Sequence, residues 1–243
     1  MDEEKDLIPI GEAAQLLGVS IMTLRRWDES GRFPAIRKQE GGDRYYRKKD
    51  IEIFMNDLFK FAREWAAANA EFPQGFYCQT SSVFQTRLVR MQDDMIRSGT
   101  VPKIFSLLVS VAGEIGNNSF DHNLGQWPDT PGVFFGYDLN KKQIVLADRG
   151  VGVLETLKRV RPGLARDADA LEVAFTEVIS GRAPEGRGNG LKYVKEVVSE
   201  NKFNLFFQSG NAVLTMPNKA NELEYVIVQG GESLRGCLTL ISY

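Results

Sequence analysis

The sequence has little cysteine and almost no histidine. Its 243 residues contain two cysteines, Cys78 and Cys237, and one histidine, His122. The two cysteines lie far apart and lack neighbours at metal-ligand spacing, so the sequence supports neither a disulfide framework nor a zinc site. We expect both thiols to be reduced and structural.

A targeting signal and long apolar runs are also missing. Residues 1–6 are acidic, whereas a signal peptide would begin with basic and then apolar residues. No apolar run approaches the roughly 18 residues that a membrane span needs. We therefore expect a cytoplasmic protein with no membrane partner. The composition, 43% hydrophobic and 26% charged residues, is that of a folded chain, and the length allows two domains.

Negative charge slightly exceeds positive charge in the whole chain, but positive charge is concentrated in one segment. The formal net charge is −2. Residues 25–49 nevertheless contain nine Lys and Arg residues against four Asp and Glu residues. A local basic patch of this kind indicates contact with nucleic acid even when the chain as a whole is slightly acidic.

The basic segment belongs to a helix-turn-helix pattern. Apolar residues recur at i, i+3, i+4 and i+7 over Ile10–Leu17, which is the spacing of one helical face. Ser20 can then cap a second helix that begins at Ile21. Two short extended runs, 33–37 and 44–47, flank a pair of glycines and predict a β-hairpin wing.

This pattern closely resembles the MerR and excisionase-like winged helix-turn-helix family over about 50 residues. The resemblance implies DNA binding by residues 10–50, with the helix 20–28 in the major groove and the wing on the phosphates. Asp43 departs from it, because such wings are usually neutral or basic there. The predicted DNA contacts are Ser20, Thr23, Arg25, Arg26, Arg37, Lys38, Arg44, Tyr46 and Arg47.

The head has a second possible use, which is to grip a protein through its helical hairpin. We favour DNA because Arg25 and Arg26 project away from the apolar side of the second helix. Related heads act in pairs, so the resemblance implies a homodimer. We expect Trp27 to lie in the core rather than to serve as a stacking platform.

The segments after the head indicate a connector and a second domain. Residues 56–70 are rich in Phe, Leu, Ala and Trp, and they predict a connecting helix. Residues 82–97 predict another helix that already belongs to the second domain. The predicted organisation is a DNA-binding domain at 1–58, a helical connector at 59–79 and a second domain at 80–243.

The first motif of the second domain lies on a predicted amphipathic helix that starts near Ile104. Glu114, Asn118 and His122 follow each other at i, i+4 and i+8, along the edge of its apolar face. Such a triple can bind a hydrated cation with phosphates and orient a water molecule. Taken alone, it is equally typical of a satisfied polar network at a helix edge.

Two glycine motifs follow. The strand 143–148 leads into Asp148-x-Gly-x-Gly, in which the carboxylate can accept from an exocyclic amine while the glycines admit a flat base. Alone, this pattern is mostly a turn. The segment 186–191, Gly-x-Gly-x-Gly-Leu, precedes a predicted helix, whose N-terminus favours phosphate. A dinucleotide-binding loop does not fit, because 171–179 is helical in pattern where that fold requires a strand.

The three motifs in this order strongly resemble the GHKL superfamily of ATPases, which contains gyrase, histidine kinases and anti-sigma-factor kinases, over roughly residues 80–243. The resemblance implies an α+β protein in which a Bergerat-type α/β sandwich with a mixed, mainly antiparallel sheet binds ATP and Mg²⁺. It assigns Mg²⁺ coordination to Asn118, adenine recognition to Asp148 and general base catalysis to Glu114. It places a mobile lid within residues 153–185. The other predicted nucleotide contacts are His122, Gly150, Gly152, Gly186, Arg187, Gly188, Asn189, Gly190 and Leu191.

Two activities remain open. His122, the only histidine, lies in the first ATP motif, so we do not expect a histidine autokinase. One hypothesis is a regulator whose DNA binding is gated by ATP, with slow hydrolysis or none. The other is a serine/threonine protein kinase resembling anti-sigma-factor kinases, in which Glu114 activates a hydroxyl of a partner protein. We favour the regulator because the fused head supplies an output directly.

Overall fold

A computed structural model describes residues 7–17, 19–29, 33–37, 39, 41–48, 50–51, 58–67, 75–178, 189–218 and 225–243. The N-terminal elements are β1 (Leu7–Pro9), α1 (Ile10–Leu16), α2 (Ile21–Glu29), β2 (Ile36–Arg37) and β3 (Arg44–Arg47). Helix α3 (Leu58–Ala66) lies further along the chain. The remaining elements are β4 (Tyr77–Cys78), α4 (Ser81–Arg97), α5 (Pro102–Asn123), β5 (Val133–Asp138), β6 (Gln143–Asp148), α6 (Gly152–Lys158), α7 (Asp167–Thr176), α8 (Gly190–Glu200), β7 (Asn204–Met216) and β8 (Val226–Ser242).

The head has the predicted helix-turn-helix and hairpin. Ser20 caps α2, because its Oγ accepts a hydrogen bond from the Thr23 amide at 3.0 Å. The wing strands β2 and β3 pair antiparallel, and β1, which the sequence pattern did not predict, pairs with the other edge of β3. The wing is thereby tied to the chain that precedes α1.

The second sheet has the strand order β4-β5-β6-β8-β7, and every pairing among the described strands is antiparallel. We predicted a mixed, mainly antiparallel sheet, so the parallel component is a correction. β8 is the longest of the described strands, with 17 residues. Its first half is largely exposed and contains Gly230 and Gly231, so it lacks the apolar alternation that identifies a strand.

This sheet carries helices on one face and the head on the other. Ile144 and Leu146 of β6 face the core formed with α4, α5, α7 and α8. Val145 and Ala147, which alternate with them, face a second core formed with α3 and the head. The structure therefore places the head and the predicted nucleotide motifs on opposite faces of one sheet.

Helix α3 is more than a connector. Its apolar residues recur at i, i+3, i+4, i+7 and i+8, and five of its nine residues are buried. The aromatic rings of Phe61 and Trp65 pack on Phe134 of β5, at centroid distances of 5.8 and 6.1 Å. The predicted connecting helix is thus confirmed over Leu58–Ala66, where it forms part of the core beneath the sheet.

Two sequence-based expectations concern disulfide bonds and membrane-spanning helices. Cys78 and Cys237 are both free in the structure. Within the described part of the chain, every helix is too short or too polar to cross a bilayer.

Candidate nucleotide and nucleic-acid sites

Helix α5 brings the first and third motifs together. Glu114 and Asn118 lie one turn apart on it, and α8 begins at Gly190 directly opposite them. A Cβ atom on Gly190 would lie 2.8 Å from Glu114 Oε2 and 3.1 Å from Asn118 Nδ2. The N-terminus of α8 therefore lies so close to these two side chains that position 190 has no room for a side chain of its own. Gly186, Arg187 and Gly188 lie outside the described residues.

The second motif meets the next position of the same helix. Asp148, at the end of β6, is 2% exposed and accepts hydrogen bonds from Ser119 Oγ at 2.7 Å and from the Gly150 amide at 2.8 Å. Burial raises the pKa of Asp148, while these bonds and those from Cys237 oppose the shift. A carboxylate has about four lone-pair positions. Ser119 and Gly150 each donate to one oxygen of Asp148, and Cys237 donates to the same carboxylate.

Asn123 holds the loop that follows Asp148. Its Oδ1 accepts from the Val151 amide at 2.8 Å, and its Nδ2 donates to the Ser119 carbonyl at 2.8 Å. A Cβ atom on Gly150 would lie 2.2 Å from both terminal atoms of Asn123. Gly150 is therefore a glycine because the Asn123 side chain occupies the space beside it. Gly152 differs, since its φ of +82° requires a glycine for conformational reasons.

Strand β8 closes the other side of the Asp148 loop. Ser209 of β7 accepts from the Val153 amide at 2.9 Å and donates to the Gly236 carbonyl at 3.1 Å. A Cβ atom on Gly236 would lie 2.3 Å from the Asp148 carbonyl oxygen. Burial also raises the pKa of the neighbouring Cys237 thiol well above its usual value.

Several residues of this site were not predicted from the sequence. Ser119 and Asn123 sit at i and i+4 on α5, one position after Asn118 and His122, and this spacing was the one available signal. Ser209, Gly236 and Cys237 belong to no motif and become part of the site only through the pairing of β7 with β8.

The remaining predicted nucleotide residues occupy the ends of two helices. His122 lies half-buried in the last turn of α5. Asn189 is the N-cap residue of α8, and Leu191 packs from its first turn against the core that α5 shares. The structure thus places His122 at the end of α5 and Asn189 and Leu191 at the start of α8, and their contact with nucleotide stays a prediction.

The predicted lid is held by its own ion pairs. Arg161 donates to both carboxylate oxygens of Glu177, at 2.9 and 2.6 Å, and Arg166 pairs with Asp169. Arg159 donates to Gln126 Oε1. In this arrangement the three arginines contact neighbouring protein groups, and Arg182, the fourth arginine of the segment, lies outside the described residues.

The candidate nucleic-acid surface is formed by α2 and the wing. Arg25 and Arg26 are exposed on α2, and the Arg47 side chain is 49% exposed on β3. Ser20 and Thr23 form the first turn of α2, with their hydroxyl oxygens 2.8 Å apart. Lys38 lies outside the described residues.

Asp28 fixes the wing against α2. Its side chain, 5% exposed, accepts from the Ala35 amide at 2.8 Å, from Arg44 Nε at 2.7 Å and from Arg37 Nη2. Burial alone would raise the pKa of Asp28, but these three donors lower it overall. Arg37 and Arg44 therefore hold the wing in place, and Arg44 also donates to Glu29, which leaves fewer of their N–H groups for phosphates.

Tyr46 corrects one predicted contact. It is 1% exposed, its hydroxyl donates to the Leu24 carbonyl at 3.3 Å, and its ring stacks on Phe33 at 5.2 Å. Successive residues of a strand face opposite sides, and on β3 Tyr46 is the tyrosine that faces inward. The prediction that Tyr46 contacts DNA is wrong. Trp27 is 2% exposed, so its predicted place in the core is confirmed.

Comparison with known proteins assigns a class to the head. Residues 9–46 match the family model described as MerR family regulatory protein, so the chain begins with a MerR-type helix-turn-helix, as predicted. The type II methyltransferase M.Eco47II of Escherichia coli is 38% identical over 61 residues, which are 25% of this chain and 15% of that protein. The transcriptional repressor DcmR of Methylorubrum extorquens (strain DSM 6343 / CIP 106787 / DM4) is 40% identical over 53 residues, which are 22% of this chain and 20% of that protein.

These relatives share only a local segment with the chain. The matches cover a fifth or less of the length of each relative. The family model ends at residue 46, so the resemblance of residues 80–243 to GHKL ATPases stays a prediction.

Proposed function

We propose that this chain is a DNA-binding regulator in which Mg²⁺-ATP, bound by residues 80–243, controls the MerR-type head. The observation that carries the proposal is the convergence of three separate motifs on one stretch of α5. Gly190 reaches Glu114 and Asn118, and Asp148 is bonded to Ser119, the residue next to Asn118. Separate turns with no shared ligand would have no reason to meet on consecutive residues of one helix.

The side chains present fit the proposed ligand. Mg²⁺ is commonly held by one or two protein oxygens together with phosphates and water, so a single amide oxygen at Asn118 is sufficient. The α8 N-terminus, at the start of an 11-residue helix, favours an anion at the same place. Asp148 would accept from the purine amino group. When bound, Mg²⁺ would neutralise phosphate charge at this place.

The head supplies the proposed output. Arg25 and Arg26 stand exposed on α2, and Met22, which is 65% exposed, adds an apolar surface beside them. Arg side chains recognise guanine edges or phosphates, and apolar side chains suit the methyl group of thymine. The relative DcmR is described as a transcriptional repressor, which is consistent with a regulatory role for a head of this type.

The test is a DNA affinity measured with and without Mg·ATP. A duplex is first selected from a random pool by the full-length chain, and its dissociation constant is then determined under both conditions. We expect the two constants to differ by about 5-fold or more, the usual scale of coupling between two sites. Asn118→Ala should bind the duplex like the wild type but show no shift. If calorimetry shows no Mg·ATP binding by the wild-type chain, the proposal fails.

The same preparation separates gating from group transfer. With γ-labelled ATP, label that stays on ATP or appears as inorganic phosphate supports the regulator. Label that moves to a hydroxyl of a second protein would instead support the kinase hypothesis, with Glu114 as the proton acceptor.

Arg25→Ala tests the DNA surface by itself. Loss of one phosphate contact should reduce the slope of log affinity against log salt by about 1, whereas loss of a base contact should relax sequence preference at one position. Lys103→Ala, at an exposed position in the first turn of α5, serves as the control and should change neither property. If Arg25→Ala also changes neither, Arg25 does not contact DNA.

A further inference from the structure

Asp148 and the next residue, Arg149, point to opposite faces of the sheet. Asp148 is bonded to α5, whereas the guanidinium of Arg149 lies 5.9 Å from the ring centroid of Trp65 on α3. Arg149 is only 9% exposed, and its Nη2 donates to Asp129. Two adjacent residues thus connect the proposed purine site to the helix that carries the head.

Buried rings continue the contact from α3 to α2. Trp65 is fully buried, and its ring lies 6.1 Å from Phe134. Phe134 meets Phe61 edge-to-face at 5.8 Å, and Phe61 meets Trp27 of α2 in the same geometry at 5.7 Å. Every ring in this series belongs to the second core, so the series is a packed path from the end of β6 to the proposed recognition helix.

The attachment of Arg149 makes it sensitive to movement of the strand end. Its Nε forms no hydrogen bond within the described residues, so the group is held by the carboxylate of Asp129 and by the face of Trp65. A planar guanidinium can stack on the ring while it donates to the carboxylate, whereas an ammonium group is a point charge that cannot stack. A displacement of Asp148 therefore changes the contact between Arg149 and Trp65 on α3.

We propose that Arg149 is a positioning residue that transmits occupancy of the Asp148 pocket to α3, and through it to the orientation of α2 and the wing. This inference rests on the proposed function and specifies how its two sites communicate. Closely packed elements pass on small displacements as changes between discrete arrangements, so a displacement at Arg149 can alter the placement of the whole head.

Arg149→Lys is the test, because it keeps a positive charge for Asp129 and removes the planar group that lies on Trp65. Three quantities are measured on the full-length chain: the affinity for Mg·ATP, the duplex affinity without nucleotide, and the duplex affinity with saturating Mg·ATP. We expect the first two to stay within about twofold of wild type and the nucleotide-dependent shift to fall to less than a third of the wild-type factor. Arg235 also pairs with Asp129. Arg235→Lys is therefore the matched control and should keep the full nucleotide-dependent shift.

The outcomes separate this inference from the proposed function. A wild-type chain that fails to bind Mg·ATP rejects the proposed function. A wild-type chain with a shift that Arg149→Lys fully retains rejects the positioning role alone. Loss of ATP or duplex affinity in Arg149→Lys also rejects it, because the residue would then be structural. If Arg149→Lys does not fold, Trp65→Phe decides: a reduced shift supports the proposal, and an unchanged shift overturns it.

Discussion

Asp148→Asn is expected to weaken Mg·ATP binding by about 1 to 3 kcal/mol, the cost of leaving a buried polar contact unmade. The carboxylate accepts at both oxygens, whereas an asparagine would present an NH₂ group at one of them. That group would face the amino group of a purine, and two donors cannot bond. Titration calorimetry with Mg·ATP measures the loss directly, and an unchanged affinity would remove Asp148 from purine recognition.

The same substitution should spare the fold, which distinguishes a binding defect from misfolding. Ser119 Oγ now donates to Asp148 at 2.7 Å, and it also lies 3.4 Å from the Ile115 carbonyl. In the variant it can accept from the new NH₂ group and donate to Ile115. The Gly150 amide keeps an oxygen acceptor, so the bonds with Ser119 and Gly150 each have a replacement. The hydrogen bonds from Cys237 are the ones that the variant can weaken.

The pH dependence of stability gives a second readout of Asp148. Because burial raises its pKa, Asp148 contributes stability fully below the unfolded value of 3.8 and loses that contribution as pH rises through the folded pKa. The Asp148→Asn variant does not titrate at this position and so lacks this loss. Without nucleotide, its free energy of unfolding should therefore rise relative to that of the wild type as pH increases above about 4. Urea unfolding at several pH values measures the difference.

A matched acid at the end of the adjacent strand provides the control. Asp138 ends β5 and accepts from the Asn140 and Lys141 amides at 2.9 and 3.0 Å in the hairpin turn. Asp138→Asn should leave the affinity for Mg·ATP unchanged. Equal losses in both variants would indicate a general effect on the hairpin rather than a role in purine binding.

The head was largely predictable because its signals are local. The spacing of apolar residues determined both helices, and Ser20 marked the start of the second. Tyr46 was misplaced because β3 has only four residues and carries adjacent tyrosines, so sequence alternation alone does not show which of the two faces inward. The role of Asp28 depends on arginines 9 and 16 residues later, a relation that local patterns do not contain.

The two cores were less predictable because they depend on long-range pairing. The sequence indicated a helix at 56–70 but gave no sign that Phe61 and Trp65 would pack on the sheet. The first half of β8 is largely exposed and contains two glycines, and it pairs with β7 through irregular register near Gly210. Such pairing stabilises a segment whose own residues would equally suit a loop.

For the candidate site, the motifs predicted which elements meet but not the residues that hold them. Glu114, Asn118 and Gly190 lie close together in the fold. Their shared role in nucleotide binding, which the GHKL resemblance implies, stays a prediction. Ser119 and Asn123 are ordinary polar residues in a helix until β6 is placed beside them. Their importance follows from bonds to Asp148 and Val151, which exist only in the folded protein.

The close contact between Gly150 and Asn123 predicts a second large effect. Gly150→Ala would place a Cβ atom 2.2 Å from both ends of the Asn123 side chain, which is 4% exposed and bonded at each end. Gly150 is not among the glycines with positive φ, so steric overlap rather than backbone strain sets the cost. We expect a loss of about 1 to 3 kcal/mol in the free energy of unfolding, as for other overpacked interiors, together with weaker Mg·ATP binding.

A double-mutant cycle tests this explanation by relieving the overlap. Asn123→Ala alone should cost about 1 to 3 kcal/mol, because the Val151 amide and the Ser119 carbonyl lose their partner. The same substitution creates the space that an alanine at 150 needs. The double variant should therefore be more stable than the sum of the single losses predicts, by about 0.5 to 3 kcal/mol. Additive losses, measured by urea unfolding, would show that Asn123 does not explain the glycine at 150.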